Sequence, residues 1–144
     1  MSYTFYKETR IESGTILMKE NDSASCIFLL KSGVAIGAKE NSGRLIKVGS
    51  FLAGDFVGAV DSIWSKKYKE SVFAESDLIV IPLPINDVSK VIETCPEWIR
   101  KLLKTLVTRL DHSLELVTEH KINDETVVPF DNETEARFRM LLKG

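Results

Sequence analysis

The stretch Gly54-Asp55-Phe56-Val57-Gly58-Ala59-Val60, followed by Ser65-Lys66-Lys67-Tyr68-Lys69-Glu70-Ser71, holds the residue types and spacing from which chemistry is most readily built. Two glycines four positions apart, with aromatic and β-branched residues between them, predict a strand end passing into a tight turn that exposes backbone N–H groups. Convergent N–H groups at Gly58, Ala59 and Val60, with Lys66, Lys67 and Lys69 downstream, are suited to an anion such as a phosphate. The plainer reading is that Gly54 and Gly58 only shape a loop between strands, and spacing alone favours it.

Other chemistries find less material. The two histidines, His112 and His120, fall on one candidate helix, so the several strand-borne histidines plus a carboxylate of a metal-dependent roll enzyme are missing. Cys26 and Cys95 are dispersed in apolar surroundings without a nearby histidine, which leaves nucleophilic catalysis without visible machinery. The expectation is a protein that is not an enzyme and carries no metal. A formal charge of -2 provides no basic field for nonspecific nucleic-acid binding, so no direct nucleic-acid partner is expected. No apolar run reaches the ~18 residues of a membrane span, and cysteine usage fits a reduced compartment; a cytoplasmic protein without a membrane partner is expected.

The elements that must position the glycine stretch are mostly strands. Within the 144 residues, apolar runs at 14–18, 26–30, 34–38, 45–51, 71–74 and 78–83 alternate with turn clusters such as Lys31-Ser32-Gly33 and Asn41-Ser42-Gly43. Turn signals every ~8–12 residues mark a sandwich or barrel. Tyr3, Phe5 and Tyr6 predict a leading strand or short helix against the core. After Pro84 the period changes: Asn86-Asp87 is a candidate cap for a short helix through Val88, Val91 and Ile92, broken at Cys95-Pro96. From Glu97 to His120 runs the longest periodic segment, in which Ile99, Leu103, Leu106, Leu110 and Val117 form a stripe that Trp98, Leu102 and Leu114 widen. A helix of ~24 residues extends ~36 Å, beyond the flank of a small domain, so this stripe is the expected homodimer interface. A last helix, capped by Asp131 or Asn132, would set Ala136, Met140 and Leu141 on its apolar face.

Over roughly residues 5 to 120 these features resemble the cyclic-nucleotide-binding domain of the catabolite-activator-protein family. The resemblance rests on Ser13-Gly14-Thr15-Ile16-Leu17, on Ile27-Phe28-Leu29-Leu30-Lys31-Ser32-Gly33-Val34, on Gly54-Asp55-Phe56-Val57-Gly58, and on Ile81-Pro82, Cys95-Pro96 and Leu106-Val107-Thr108-Arg109-Leu110. It implies a mainly β protein: a jelly roll, or double-stranded β-helix, followed by a long C-terminal α-helix and a short helical tail. Residues 1–96 would be the roll, 97–120 the dimerising helix and 121–144 the tail.

The family's phosphate-binding cassette would then comprise Gly54, Gly58, Ala59, Val60, Lys66, Lys67, Lys69, Ser71 and Val72. Two of its parts differ here. The family follows the glycine with a glutamate that accepts from the ribose 2′-hydroxyl, and this chain has Ala59. Some seven to ten residues later the family has an arginine clamping the cyclic phosphate, whereas here no arginine lies between Arg44 and Arg100. Lysine supplies charge but not the planar fork. The expectation is therefore a diverged pocket, filled by Ile63, Trp64 or Tyr68, in a dimeric signalling module or protein-interaction scaffold without a cofactor. The alternatives are a sensor of a small ligand such as a cyclic nucleotide, and the sensor part of a transcription regulator. In all three, a ligand near Gly58 would bias the docking of the long helix.

Overall fold

In a computed structural model, residues 6–58, 66–109 and 130–143 are described, and they form two four-stranded antiparallel sheets wrapped into a roll with helices outside. The strands are β1 (Thr9–Ile11), β2 (Ile16–Met18), β3 (Cys26–Ser32), β4 (Ala35–Asn41), β5 (Arg44–Phe51), β6 (Phe56–Val57), β7 (Ser71–Ala74) and β8 (Leu78–Pro84). One sheet has the order β1-β8-β3-β6 and the other β2-β7-β4-β5. This is the jelly-roll architecture expected of a mainly β chain. Tyr6 is the one member of the leading aromatic group within the described residues; its hydroxyl donates to Asp87 Oδ2 at 3.1 Å.

Strand alternation divides the apolar residues between two cores. Met18, Leu30, Ala35, Val57, Val72, Ala74, Leu78 and Val80 close the interior of the roll. Ile36, Ala38, Leu45 and Phe73 point the other way and form a second cluster on the outer face of the second sheet. All of β7 is buried, because Val72 and Ala74 face in while Phe73 faces out.

Two turns hold the register. Asn41 pairs with Arg44 across Ser42 and Gly43, both at positive φ, the geometry of a two-residue hairpin loop. At the β3–β4 corner Gly33 has φ of 95°, and a Cβ there would lie 2.3 Å from the Asp77 carbonyl oxygen. Only glycine lets this corner meet the β7–β8 turn, where Val34 N–H donates to Ser76 Oγ at 2.9 Å and Glu75 N–H to the Val34 carbonyl at 2.9 Å.

The helices depart from expectation in detail. The first, α1 (Ile85–Glu93), starts directly from β8 with Pro84 at its N-cap and no side-chain cap. Asn86 and Asp87 therefore do not cap it; they lie inside its first turn, where Asp87 complements the positive end of the helix dipole. The second, α2, occupies residues 97–109. It follows Pro96, whose carbonyl accepts from Ile99 N–H at 3.0 Å and Arg100 N–H at 3.2 Å.

The third, α3 (Asn132–Lys143), is capped by Asp131, whose Oδ1 accepts from Thr134 N–H at 2.7 Å. Its buried residue is Phe138, not the expected group of Ala136, Met140 and Leu141: Met140 is 75% exposed, Ala136 is exposed and Leu141 is half-buried. Phe138 wins the inward position because it stacks on Phe73 (ring centroids 4.0 Å apart, 10° between planes) and receives Phe130 edge-on at 5.2 Å. Glu135 Oε1 accepts from Leu45 N–H at 3.1 Å on the open edge of β5, and Arg139 donates to both oxygens of Glu40 at 3.2 Å and to the Gly43 carbonyl. The last helix thus covers an outer sheet face and blunts a free strand edge.

Candidate functional site

The glycine stretch enters the roll through a hydrogen-bonded turn. Asp55 Oδ2 accepts from Leu52 N–H at 2.8 Å, closing a tight loop, and Gly54, at φ of 96°, donates its N–H to the Leu30 carbonyl at 2.8 Å. That amide is used within the roll and does not face a ligand. β6 then pairs Val57 with Phe28 and Phe56 with Leu29, which brings Gly58, buried and at φ of 91°, to the rim of the interior. Ala59, Val60, Ile63 and Trp64 fall outside the described residues.

The chain re-enters at Lys66 and runs antiparallel to residues 21–24. Ala24 N–H donates to the Lys66 carbonyl at 2.9 Å, Asn21 N–H to the Tyr68 carbonyl at 2.8 Å, and Tyr68 N–H to the Asp22 carbonyl at 3.0 Å. This pairing fixes the alternation of the next residues. Lys66 and Lys67 are exposed and Lys69 is half-buried, while Tyr68 turns inward and is 5% exposed. Its ring packs in the interior cluster with Met18, Leu30, Val57 and Val72. Its hydroxyl donates to the Cys26 carbonyl at 2.9 Å and accepts from Cys26 N–H at 3.3 Å. The buried phenol is therefore satisfied on both counts.

Ser71 and Val72 are buried as well, but neither presents a free polar group to the interior. Ser71 Oγ accepts from Glu20 N–H at 2.9 Å, and Val72 contributes only its apolar side chain. The residue that sequence reasoning passed over is Glu70. Its carboxylate lies against Gly37, with Oε2 2.8 Å from where a Cβ on that glycine would sit, beside the Phe51 ring. Gly37 alternates inward with Ala35, so this places a carboxylate at the inner face of β4. The only sequence signals were the Gly37 interruption of a strand and the Glu70 parity with Val72. Nearby, burial is the largest influence on the Glu20 carboxyl and pushes its pKa up, against the hydrogen bond from Glu40 N–H.

On the long helix Ile99 and Leu103 are half-buried, and Leu106 is 48% exposed; Leu110 and Val117 lie outside the described residues. The exposed apolar line is Trp98, Leu102 and Leu106. Among the described residues no His, Cys, Asp or Glu group is placed to hold a metal ion, and no helix is long and apolar enough to cross a membrane.

The family model described as cyclic nucleotide-binding domain matches residues 8–95. No curated protein matches the chain. Among solved structures, the cAMP-bound form of the EAL enzyme Bd1971 superposes with a TM-score of 0.69 at 19% identity, over 78% of this chain and 30% of that one. FixK2 from Bradyrhizobium japonicum gives 0.64 at 18% identity, over 78% and 56%. The c-di-GMP-responsive global regulator CLP of Xanthomonas campestris gives 0.60 at 17%, over 82% and 58%. The chain thus spans under a third of the EAL enzyme and somewhat over half of FixK2 and of CLP.

Proposed function

The chain belongs to the cyclic nucleotide-binding domain family, and on that premise we propose that it is a regulatory module whose nucleotide pocket has diverged and filled, working as a dimeric signalling or protein-interaction scaffold. The observation that carries this reading is Tyr68. It stands ten positions after Gly58, within the span where the family's arginine is expected, and there it is an inward, hydrogen-bonded phenol. Two further features point the same way. Ala59 offers no acceptor to a ribose hydroxyl, and the Glu70 carboxylate takes up space beside Gly37 at the inner face of β4. Losing two charge-assisted contacts of ~1.5–3 kcal/mol each weakens binding by orders of magnitude.

The dimer contact of this proposal is α2, on whose described part Trp98, Leu102 and Leu106 form the exposed apolar line. With a net charge of -2, the partner it serves is a protein and not nucleic acid.

Calorimetry and thermal unfolding with cAMP and cGMP test the reading. The expected result is no saturable heat and no rise in Tm at millimolar nucleotide. A ligand at a hundredfold its Kd would stabilise the protein by ~2.7 kcal/mol, so saturable binding with such a shift would overturn the filled pocket. A second reading, a cyclic-nucleotide sensor using Lys66, Lys67 and Lys69 or the sensor part of a longer transcription regulator, draws on the likeness to cAMP-bound Bd1971 and to FixK2. That outcome would favour it.

A further inference from the structure

Between α1 and α2 lies an open groove of ≈ 490 Å³. From α1 it receives Ile92, half-buried, and Glu93; from α2 it receives Glu97, Arg100, Lys101 and Lys104, and all five charged residues are exposed. Glu97 and Lys101 are used by each other, Oε1 to Nζ at 3.3 Å, one turn apart on α2. Glu93, Arg100 and Lys104 form no ion pair among the described residues. The open charges are thus sorted by wall: two cations on α2, four residues and ~6 Å apart along its axis, and one carboxylate on α1. On a helical wheel Arg100 and Lys104 lie about 180° from the line of Trp98, Leu102 and Leu106, so a dimer closed through that line leaves the groove open.

We propose that this groove docks an amphipathic helix of a partner protein that carries two carboxylates one turn apart, an apolar residue beside them and a cation on its other flank. Carboxylates at i and i+4 of a helix repeat at the same ~6 Å as Arg100 and Lys104, so one helix laid along α2 meets both cations. Ile92 supplies the apolar contact, and Glu93 meets the partner's cation from the opposite wall. Sorting of the charges by wall also selects against a uniformly anionic surface such as a lipid headgroup layer or a nucleic-acid backbone, which would set phosphates against Glu93. This partner deepens the scaffold reading and rests on it. A nucleotide titration reads the roll and not the groove, so failure of the filled pocket and failure of this docking site are told apart.

The test is fluorescence anisotropy of a labelled, alanine-based helical peptide of about 15 residues, titrated with the full chain. The peptide bears two glutamates one turn apart, a leucine beside them and a lysine on the other flank; a control peptide exchanges the glutamates for lysines and the lysine for glutamate. Saturable binding of the first below about 1 mM is expected, with no saturation by the control. Arg100→Gln, Lys104→Gln and Glu93→Gln, all at exposed positions, should each weaken it about threefold, the size of a surface ion pair. Arg100→Glu combined with Lys104→Glu should reverse the preference between the two peptides. Equal binding of both peptides, no saturation by either, or undiminished affinity in the three single variants would overturn the proposal. So would full displacement of the peptide by phosphatidylglycerol vesicles, by duplex DNA or by free glutamate, which would assign the groove to another anion. Loss of the dimer in light scattering on Arg100→Gln with Lys104→Gln would assign it to a second copy, with the same consequence.

Discussion

Tyr68 occupies the roll interior by satisfying a strand start: its hydroxyl pairs with both backbone groups of Cys26. Tyr68→Phe keeps the ring and removes those bonds, so it should cost about 1–3 kcal/mol, read as a lower urea midpoint with unchanged slope. It should not create nucleotide binding, since the phenyl ring still fills the space. Gly33 meets a backbone constraint of a different kind. Gly33→Ala would force a Cβ toward the Asp77 carbonyl at a φ of 95°, and a loss of about 2 kcal/mol or more in urea unfolding is expected. Both positions were visible as residue types in the sequence. That the tyrosine faces inward was not, because the facing of residues 66–69 is set by pairing with residues 21–24, far away in the chain.

At the scale of elements, α3 is the part whose docking rests on few contacts. Phe138 stacks on Phe73, so Phe138→Ala should cost about 3 kcal/mol or more and release the helix, detected as rapid amide exchange across 132–143 while the roll stays protected. Docking should also depend on pH. The Leu45 N–H bond, with Arg139 beside it, holds the Glu135 carboxyl below the ordinary range, and the Thr134 N–H bond does the same for Asp131. A carboxyl whose folded pKa is depressed contributes stability above its unfolded value of about 4 and loses it as pH falls through the folded value. Protection factors in α3, which take out the intrinsic pH dependence of exchange, should therefore fall on acidification below about pH 4, and a helix equally protected at pH 3 would refute the linkage. Glu20, pushed up chiefly by burial, has the opposite sign and gains stability on protonation. The terminal helix itself was legible from Asp131 and its composition. Its inward face was not, since Met140 and Phe138 compete on the same helix and only the outward ring of Phe73 decides between them.

For the whole molecule, the exposed line of Trp98, Leu102 and Leu106 sets the proposed assembly. Leu102→Glu with Leu106→Glu should turn dimers into monomers in light scattering without lowering the Tm of the roll, and persisting dimers would move the contact off α2. The sequence by itself determined the mainly β class, the order of runs and turns, the family resemblance and the losses at Ala59 and at the missing arginine. These are local or pattern-level properties, written in alternation, punctuation and residue identity. The tertiary structure alone decided which side residues 66–72 face, the arrival of Glu70 beside Gly37, and the closure of a second apolar face by α3. Those outcomes depend on registers between segments remote in sequence, and a shift of one residue in any of them exchanges inside for outside.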